Sequence, residues 1–565
     1  MKKTYIFIPF AIIALLLSGC NFLDKNPDDR AEINSRKKVH LLLVNGYEMP
    51  NIAPLCETMS DNCVDNNTPD DAGQVVSVMP LSLMYNQYFA WEDVTTDSQQ
   101  DSPYYIWMHC YKNIAVANQA LNAIDKLEAE SGERYDAERA EALLIRAWNH
   151  FILANIFCKA YRTDDLSSQD LGIHYMTEPE TEVNPQYERG TLTETYKHIQ
   201  ADLEEALPKV SDEYYSVPKY HFNTKAAHAF AAKFYLFIRN WDEAINQANM
   251  VLGTSSEEAS AMMFDAAAAK LLGNPTEELH AWMSATSPSN LLITTTMSTY
   301  ERTYWTSYAR YTLNRNALKA TLTGWDGSRS SGPAWDGRFP GCNIWRINAN
   351  YGSFKATIVE EFEYTDKVAG IGYPRILRRE LTAGETLLLR AEAKVMKGDL
   401  SGAVEDMNVW CQSYCCEKEL TASAINRFFP VSSEGRIPQH IPTLHNQDMA
   451  PDWIITDEQK PYIWCALHLN RIETLHEGYR WWDIKRYGIE LAHEIGYPTV
   501  TKTLTWDDDR RAAQLPQETI LAGQTPNPRE HVGDNASTNA SMGPNNTTNI
   551  YLPNTGYTPV LVPFN

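Results

Sequence analysis

The chain has 565 residues, of which 44% are apolar and 11% aromatic, so it is long and apolar enough to bury a sizeable core. Asp and Glu total 72 against 49 Lys and Arg, which gives a formal net charge of −23. This charge argues against nucleic acid and anionic membrane surfaces as partners, because both are themselves polyanionic.

An export signal is predicted at the start of the chain. Lys2 and Lys3 precede the apolar run 6–17, and LSGC closes the segment at Cys20. Twelve apolar residues rise only about 18 Å as a helix, short of the ~30 Å hydrocarbon core, so residues 1–19 are expected to be a signal peptide and not a membrane span. No later stretch approaches 18 apolar residues, which predicts a soluble but tethered mature chain.

The leucine–small–Gly–Cys ending resembles the lipobox of bacterial lipoproteins. That resemblance implies that Cys20 becomes the lipidated first residue of the mature protein, where a multiply acylated cysteine would anchor it firmly. The alternative is an ordinary secretory signal with a chance cysteine. The other nine cysteines show no metal-binding spacing, and scattered buried thiols are favoured over disulfides.

A repeat is predicted in the middle of the chain. Residues 224–252 read as two amphipathic helices with a break near Asn240, and residues 385–411 repeat the plan. A shift of 159 residues aligns the small and apolar positions, for example Ala232 with Ala391. Small residues on the facing sides let two helices approach closely, and a short polar turn reverses the chain. The pattern resembles the tetratricopeptide helix pair.

Further amphipathic helices are predicted at 104–127, 136–161, 191–210 and 462–478. The third begins with a Thr that is followed by a Glu three residues on, which indicates a capping box, and the last is expected to end at Gly478. Long irregular stretches separate the helix pairs. Loops of such length usually carry function.

Several local motifs resemble the SusD/RagB family. RAEALLIRAWNHFILANIF with GIHYMTEP resembles the family's long helix and the loop that follows it, and ERGTLTETYKHIQADLEEAL resembles its next helix. RIETLHEGYRWWDIKRYG resembles the C-terminal signature, and AQLPQETILAGQTPNP the closing segment. These motifs occur in the family's order over nearly the whole chain. The closing segment lacks the family's usual Gln–Asn–Pro, and residues 530–565 form an additional run.

The resemblance implies an all-α fold of tetratricopeptide-like helix pairs with large irregular loop insertions. We expect a signal peptide at 1–19 and one SusD-like domain at 20–565. The helical scaffold is expected at about 36–50, 104–161, 191–252, 384–416 and 460–490. The ligand-binding insertions are expected at about 51–103 and 253–383.

The segment ETLHEGYRWWDIKRYG at 473–488 sets two tryptophans among charged residues. Its arginines and carboxylates are spaced closely enough to pair with one another, and its tryptophans to anchor a turn. The expected pairs are Arg471 with Glu473 or Glu477, and Arg480 with Asp483. A ligand platform is the alternative. The family resemblance places this motif in the helical scaffold, which is the interpretation we favour.

No catalytic pattern stands out. GxSxG, GxxxxGK[ST] and HExxH are absent from the sequence, and nothing singles out a pair of glycosidase carboxylates. The acidic loop SDNCVDNNTPDD at 60–71 offers oxygen ligands for Ca²⁺ but not in the order of an EF-hand, so a solvated loop is favoured. We expect no catalytic residues, no cofactor and no metal.

Aromatic residues give the strongest binding signal. Residues 282–351 contain ten Trp or Tyr in 70 positions, against 45 in 565 for the chain. Exposed rings suit sugars, whose C–H faces stack on a π-face while the hydroxyls bond to nearby polar groups. The tyrosines at 300, 304, 308 and 311 share one helix face and are expected to pack. The predicted ligand-binding residues are Trp91, Trp282, Trp305, Trp325, Trp335 and Trp345.

The resemblance also implies a function. A SusD-like protein would be held at the outer membrane of a Bacteroidetes-like bacterium by the lipid on Cys20 and would face outward. It would capture an oligosaccharide without cleaving it and deliver it to a SusC-like TonB-dependent transporter. Two alternatives stay open: a RagB-like binder of peptides with the same fold, and a surface glycoside hydrolase.

Overall fold

Helices form most of the architecture. The computed structural model describes residues 33–68, 82–180, 186–304, 309–313, 358–414, 416, 419–435 and 441–533. In these ranges the helices pack around one continuous hydrophobic core, and the strands form three small antiparallel sheets. The all-α class with tetratricopeptide-like helix pairs is confirmed.

The helices and strands alternate irregularly along the chain. The α-helices of the described residues are α1 Arg36–Val44, α2 Ala53–Met59, α3 Leu83–Phe89, α4 Pro103–Ser131, α5 Asp136–Phe157, α6 Asp164–Ser167, α7 Leu192–Ala206, α8 Thr224–Phe237, α9 Trp241–Leu252, α10 Ser256–Ala261, α11 Ala266–Leu271, α12 Pro275–Trp282, α13 Tyr300–Tyr304, α14 Ala383–Met396, α15 Leu400–Ser413, α16 Ala422–Phe428, α17 Asn446–Met449, α18 Lys460–Glu473, α19 Tyr479–Arg486 and α20 Gln517–Leu521. The strands are β1 Val64–Asp65, β2 Asn290–Met297, β3 Tyr311–Thr312, β4 Glu360–Asp366, β5 Ile371–Thr382, β6 Leu491–Ile495 and β7 Val500–Leu504.

The two predicted repeats, α8–α9 and α14–α15, share their turn geometry. Arg239 and Gly398 have φ of +61° and +81°. The next residue in each pair, Asn240 or Asp399, donates its backbone N–H to the carbonyl five positions earlier at 2.9 Å, which is the 6→1 bond that closes many helix C termini. The side chain of that same residue then caps the second helix. Equivalent residues differ by 159 positions, so the repeat is confirmed in its register.

The long helices α4 and α5 agree with the helices predicted at 104–127 and 136–161, with ends shifted by a few residues. They pack against each other, and Asn113 Nδ2 donates to Asn149 Oδ1 at 3.1 Å in their interface. The capping box predicted for α7 is present: Thr191 accepts from the backbone of Glu194, whose carboxylate accepts from the N–H of Thr191.

The helix predicted to end at Gly478 ends earlier. α18 stops at Glu473, and Gly478, with φ of +93°, begins α19 instead. A Cβ at this glycine would lie 3.1 Å from both Ala53 Cα and Cys56 Cβ of α2. The glycine is therefore needed both for its backbone conformation and for the close approach of α2.

The first predicted insertion, 51–103, is more regular and more buried than expected. It contains α2 and α3, and every residue of α2 is buried. The acidic loop within it is also not a solvated loop, because Asp61 and Asp65 are 5% and 1% exposed and pair with arginines. That expectation was wrong for the described residues 60–68. No group of three potential metal ligands is found among the described residues.

The second predicted insertion, 253–383, contains α10–α13 and a three-stranded sheet in the order β2–β5–β4. Tyr300, Tyr304 and Tyr311 are buried, as expected for packing residues. The helix ends at Tyr304, however, and Tyr311 lies in β3. Tyr308 lies outside the described residues.

The described cysteines agree with the preference for thiols over disulfides. Seven are free: Cys56, Cys63, Cys110, Cys158, Cys411, Cys416 and Cys465. All but Cys416 are buried. Among the described helices, none combines the length and apolarity that a membrane span requires.

Candidate functional site

The Trp–Trp segment belongs to the interior. Trp481 and Trp482 are 2% and 1% exposed, which agrees with the scaffold interpretation. The predicted ion pairs are wrong, however. Both Arg471 and Arg480 reach Asp61, at 3.3 and 2.8 Å, in the loop that follows α2. Sequence proximity is a poor guide here because α19 packs directly on α2.

The other members of the expected pairs bind elsewhere. Glu473 accepts hydrogen bonds from Trp410, Tyr414 and Thr382 at 2.7–3.1 Å, and Asp483 pairs with Arg486 at 2.7 Å. These partners are buried and lie in the helical frame. They hold the scaffold together.

Two of the predicted ligand-binding tryptophans are buried as well. Trp91 is 2% exposed, donates Nε1–H to Met59 O at 2.9 Å and stacks on His493 at 4.1 Å. Trp282 is 1% exposed, and the Arg379 guanidinium lies 3.6 Å from its ring centroid. Neither ring offers a free face, so the prediction is wrong for both. The remaining four predicted residues, Trp305, Trp325, Trp335 and Trp345, lie outside the described residues, as does Cys20.

An exposed aromatic surface does exist, on the β4–β5 hairpin that follows residue 357. β2 ends at Met297 opposite Arg375, so residues 371–374 pair only with β4 among the described strands. The hairpin therefore extends beyond the sheet as a two-stranded ribbon. Its large exposed side chains are Phe362 at 41%, Tyr364 at 51%, Val368 at 100%, Ile371 at 58% and Tyr373 at 49%.

One side of this ribbon, here named the aromatic face, carries Phe362 and Tyr364 with Gly372 and Pro374 opposite them. Alternate residues of a strand share a face, and directly paired residues lie on the same face. The two rings meet edge to face, with centroids 4.9 Å apart and planes at 70°. A Cβ on Gly372 would lie 2.8 Å from Phe362 Cε1, so the glycine leaves room for the ring over the ribbon.

The turn of the hairpin is formed by local hydrogen bonds. The Asp366 carboxylate accepts from the backbone N–H groups of Val368 and Ala369 at 2.9 and 3.0 Å. Gly370 follows with φ of +69°, a conformation that glycine adopts without steric cost. At the base, Arg302 of α13 pairs with Glu360 through a bond of 3.0 Å. This pair ties the aromatic face to the chain that precedes Trp305.

The opposite side of the ribbon carries both charged and apolar side chains. Arg375 pairs with Glu363, and Tyr373 lies directly across from Glu363. The charge of Arg375 also acts on Tyr105 and His109 of α4, whose rings stack at 3.9 Å. Burial raises the pKa of Tyr105 to about 12 and lowers that of His109. Tyr105 Oη and His109 Nδ1 have no hydrogen-bond partner among the described residues.

The sequence contains a signal for this surface that the aromatic count in 282–351 did not include. EFEYTDKVAGIGY places aromatic residues at alternate positions before a Gly-containing turn and one more after it, a pattern typical of an exposed hairpin. This exposed surface can bind a ligand through two aromatic rings and through several carboxylate, hydroxyl and guanidinium groups. No set of described residues there forms a nucleophile–base pair.

The chain is similar to known proteins in both sequence and fold. Residues 21–236 match a SusD-like family described as starch-binding and associating with the outer membrane. No curated protein matches the sequence.

Several solved structures share the fold. A SusD superfamily protein from Bacteroides thetaiotaomicron is 13% identical, with 88% of this chain and 99% of that chain covered at a TM-score of 0.57. One from Bacteroides fragilis is 15% identical, covering 87% and 98% at 0.52. A SusD-like carbohydrate binding protein from Bacteroides vulgatus is 15% identical, covering 86% and 96% at 0.51. At these identities the likeness shows the fold.

Proposed function

We propose that this chain is a SusD-like protein, a non-catalytic carbohydrate-binding lipoprotein of the outer membrane, which the match of residues 21–236 and the shared fold support. It captures an oligosaccharide and delivers it to a SusC-like TonB-dependent transporter. Lipid on Cys20 anchors it facing outward. The observation that carries this proposal is the aromatic face, because the described residues bury more of their aromatic rings than they expose, whereas Phe362 and Tyr364 form an exposed ring pair.

The aromatic face suits a sugar ring. Phe362 and Tyr364 present apolar surface to the C–H face of a pyranose. The Tyr364 hydroxyl can donate a hydrogen bond to a sugar hydroxyl or accept one from it, and nearby carboxylates accept hydrogen bonds from the sugar hydroxyls. Trp325, Trp335 and Trp345 fall in the segment that leads into β4. We propose that they, together with Trp305, add rings to the same binding surface.

The charge favours an uncharged glycan. The chain carries a net −23, and β4 alone contributes Glu360, Glu361, Glu363 and Asp366. A polyuronate or sulfated polymer would be repelled by this field. A shallow, exposed site also fits capture followed by release, because few contacts have to break before the ligand leaves.

The test is binding of a panel of neutral and anionic oligosaccharides to the purified protein, followed by calorimetry on the best ligand. The Phe362→Ala/Tyr364→Ala double variant should weaken binding about tenfold or more, since each ring contributes ~0.5–1.5 kcal/mol. Tyr220→Ala is the matched control. Tyr220 is 48% exposed. It lies near the start of β2, because the neighbouring Asn223 donates a hydrogen bond to Leu291 O. That end of β2 is about 20 Å along the strand from the hairpin. If the double variant bound the glycan as tightly as Tyr220→Ala does, the aromatic face would not be part of the binding site.

The absence of catalysis is tested in the same samples. The glycan is incubated with the protein and analysed for shorter products by chromatography. Intact ligand after prolonged incubation supports capture. Turnover that disappears when one carboxylate is replaced by its amide would instead support the glycoside hydrolase alternative.

A peptide ligand is the second candidate, and one observation favours it. Among the described strands β4 pairs only with β5, so its outer edge offers backbone N–H and C=O groups to an extended peptide. A peptide library screened against the protein decides between the two. Peptide binding that survives Phe362→Ala/Tyr364→Ala, with no glycan bound, would support the RagB-like function.

A further inference from the structure

Two cysteine thiols meet where α15 ends. Cys411 lies in the last turn of α15 and is buried, while Cys416 lies just past the helix and is partly exposed. The backbone N–H of Cys416 donates to Cys411 O at 3.0 Å. A third thiol, Cys465 of α18, is buried nearby.

The backbone bond sets the distance between the two cysteines. It is the same 6→1 bond that closes α8 and α14, and in this arrangement the side chains of the first and sixth residues commonly touch. The donor nitrogen is ~1.5 Å from its Cα and the acceptor oxygen about 2.4 Å from its own, so the Cα atoms are at most about 6.9 Å apart. Disulfides form only when the Cα atoms are within roughly 7 Å. The pair satisfies that limit without backbone movement.

The two thiols differ in access to solvent. Burial raises the pKa of Cys411 well above its ordinary value, and the adjoining Cys416 thiol raises it further. Cys411 is therefore protonated and shielded, whereas solvent reaches Cys416. Burial also raises the pKa of Cys465. An oxidant arriving from solvent meets Cys416 first, and Cys411 is positioned to resolve the product.

We propose that Cys411 and Cys416 form a reversible disulfide by exchange with a small-molecule disulfide. The Cys416 thiolate attacks one sulfur of the oxidant, which breaks that S–S bond and releases one thiol. Cys411 loses its proton, attacks the Cys416 sulfur of the mixed disulfide and expels the second thiol. Two protein thiols are oxidised and one external disulfide is reduced.

The bridge would close a ring around Tyr414. Tyr414 Oη and Trp410 Nε1 both donate to Glu473 Oε2, at 2.7 and 3.0 Å. The disulfide therefore fixes the turn that carries Tyr414, one of the two donors to a buried carboxylate of α18. This inference is independent of the ligand and does not rest on the proposed function.

The test uses the full chain treated with oxidised glutathione, alkylated under denaturing conditions and cleaved with chymotrypsin. Cleavage after Trp410 and Tyr414 separates CQSY from CCEKEL, so a bridge appears as a linked pair of peptides. The expected result is that linked pair, about 2 Da lighter than the sum of the free peptides and lost after reduction. Cys416→Ser abolishes the link, while Cys415→Ser and Cys465→Ser retain it.

Three outcomes overturn the proposal. Cys411 could remain fully alkylated after oxidation, Cys415→Ser could remove the link while Cys416→Ser keeps it, or Cys411 could pair with Cys465. Circular dichroism of each serine variant confirms that it is folded before mapping. Because Cys416 is partly exposed, Cys416→Ser is expected to leave the helical signal unchanged.

Discussion

Arg480 and Asp61 are 419 positions apart in the chain and form two parallel hydrogen bonds of 2.9 and 2.8 Å. Arg471 adds a second guanidinium to the same carboxylate, and its Nε donates to Asn62 at 2.7 Å. Burial alone would raise the pKa of Asp61, but the two arginines outweigh it and hold that pKa below its usual range. The loop after α2 and the C-terminal helices α18 and α19 are therefore joined by one buried ionic cluster.

Asp61→Asn should destabilise the protein strongly. The change leaves Arg471 and Arg480 buried without their anion, and loss of one partner of a buried pair costs about 3–5 kcal/mol. Denaturant unfolding followed by circular dichroism measures the effect. Asp93→Asn is the control, since Asp93 is 38% exposed in its pair with Arg529 and surface pairs contribute ~0–1 kcal/mol. Similar losses for both variants would contradict the assigned role of Asp61.

Glu57 should make stability fall as pH rises. Burial raises the pKa of Glu57 from 4.5 to about 7. Between these values the folded chain holds a proton that the unfolded chain has lost, so the contribution is fully present below pH 4.5 and is lost as the pH approaches 7. Glu57→Gln removes this titration, and so it should destabilise the protein more at pH 5 than at pH 7.5.

The measurement is the free energy of unfolding of wild type and Glu57→Gln at both pH values. The difference between the two proteins should change by up to roughly 3 kcal/mol across the window. Glu277→Gln, which replaces a carboxylate at an exposed position on α12, is the control. A constant difference for Glu57→Gln would show that Glu57 does not titrate in this range.

Gly372→Ala should separate binding from stability. Its Cβ would meet Phe362 Cε1 at 2.8 Å and the Glu363 carbonyl closer still, so the aromatic face must rearrange. Residues 361–370 are exposed, and little core packing depends on them. We expect weaker glycan binding with a much smaller effect on the thermal midpoint, because the exposed hairpin can distort locally without opening the core. Unchanged binding would argue against an ordered hairpin in the site.

Lys233 is buried in the core beside a carboxylate and an aromatic ring. Its Nζ lies 2.8 Å from Glu385 Oε1 and 3.6 Å from the Tyr479 ring centroid. Lys233→Met should destabilise the protein by about 3–5 kcal/mol, because Glu385 would stay buried and unpaired. Adding Glu385→Gln should recover part of the loss in a double-mutant cycle. Additive losses in the cycle would mean that the two side chains are not coupled.

The local features of the fold were predictable, and the long-range ones were not. The Asn240 and Asp399 turns, the Thr191 cap and the burial of Trp481 follow from short patterns whose physics is local. The partner of Arg480 does not follow from such a pattern. Side chains that pair along one helix are three or four residues apart, whereas Asp61 lies in the loop after α2. For the same reason the sequence predicts a helix end at Gly478, whereas the structure shows that this glycine begins α19 and allows α2 to approach closely.

For the candidate site, the predictions from the sequence were wrong about which aromatic rings are exposed. Trp91 and Trp282 stand near charged residues and turns in the sequence, as exposed rings often do, but tertiary packing buries both. Exposure of a ring depends on what the rest of the chain places over it, and composition does not report this. The alternation in EFEYT was a better guide, since a ribbon with side chains on both faces cannot hide all of them.

The Asp61–Arg480 pair also bears on how the polypeptide is made. At ~5–20 residues per second, synthesis of the intervening chain takes roughly 20–80 s. During that time the Asp61 carboxylate is present but Arg480 has not been synthesised, so the buried ionic cluster cannot form. The core around this cluster therefore forms only after residues 471–480 have been synthesised, late in translation.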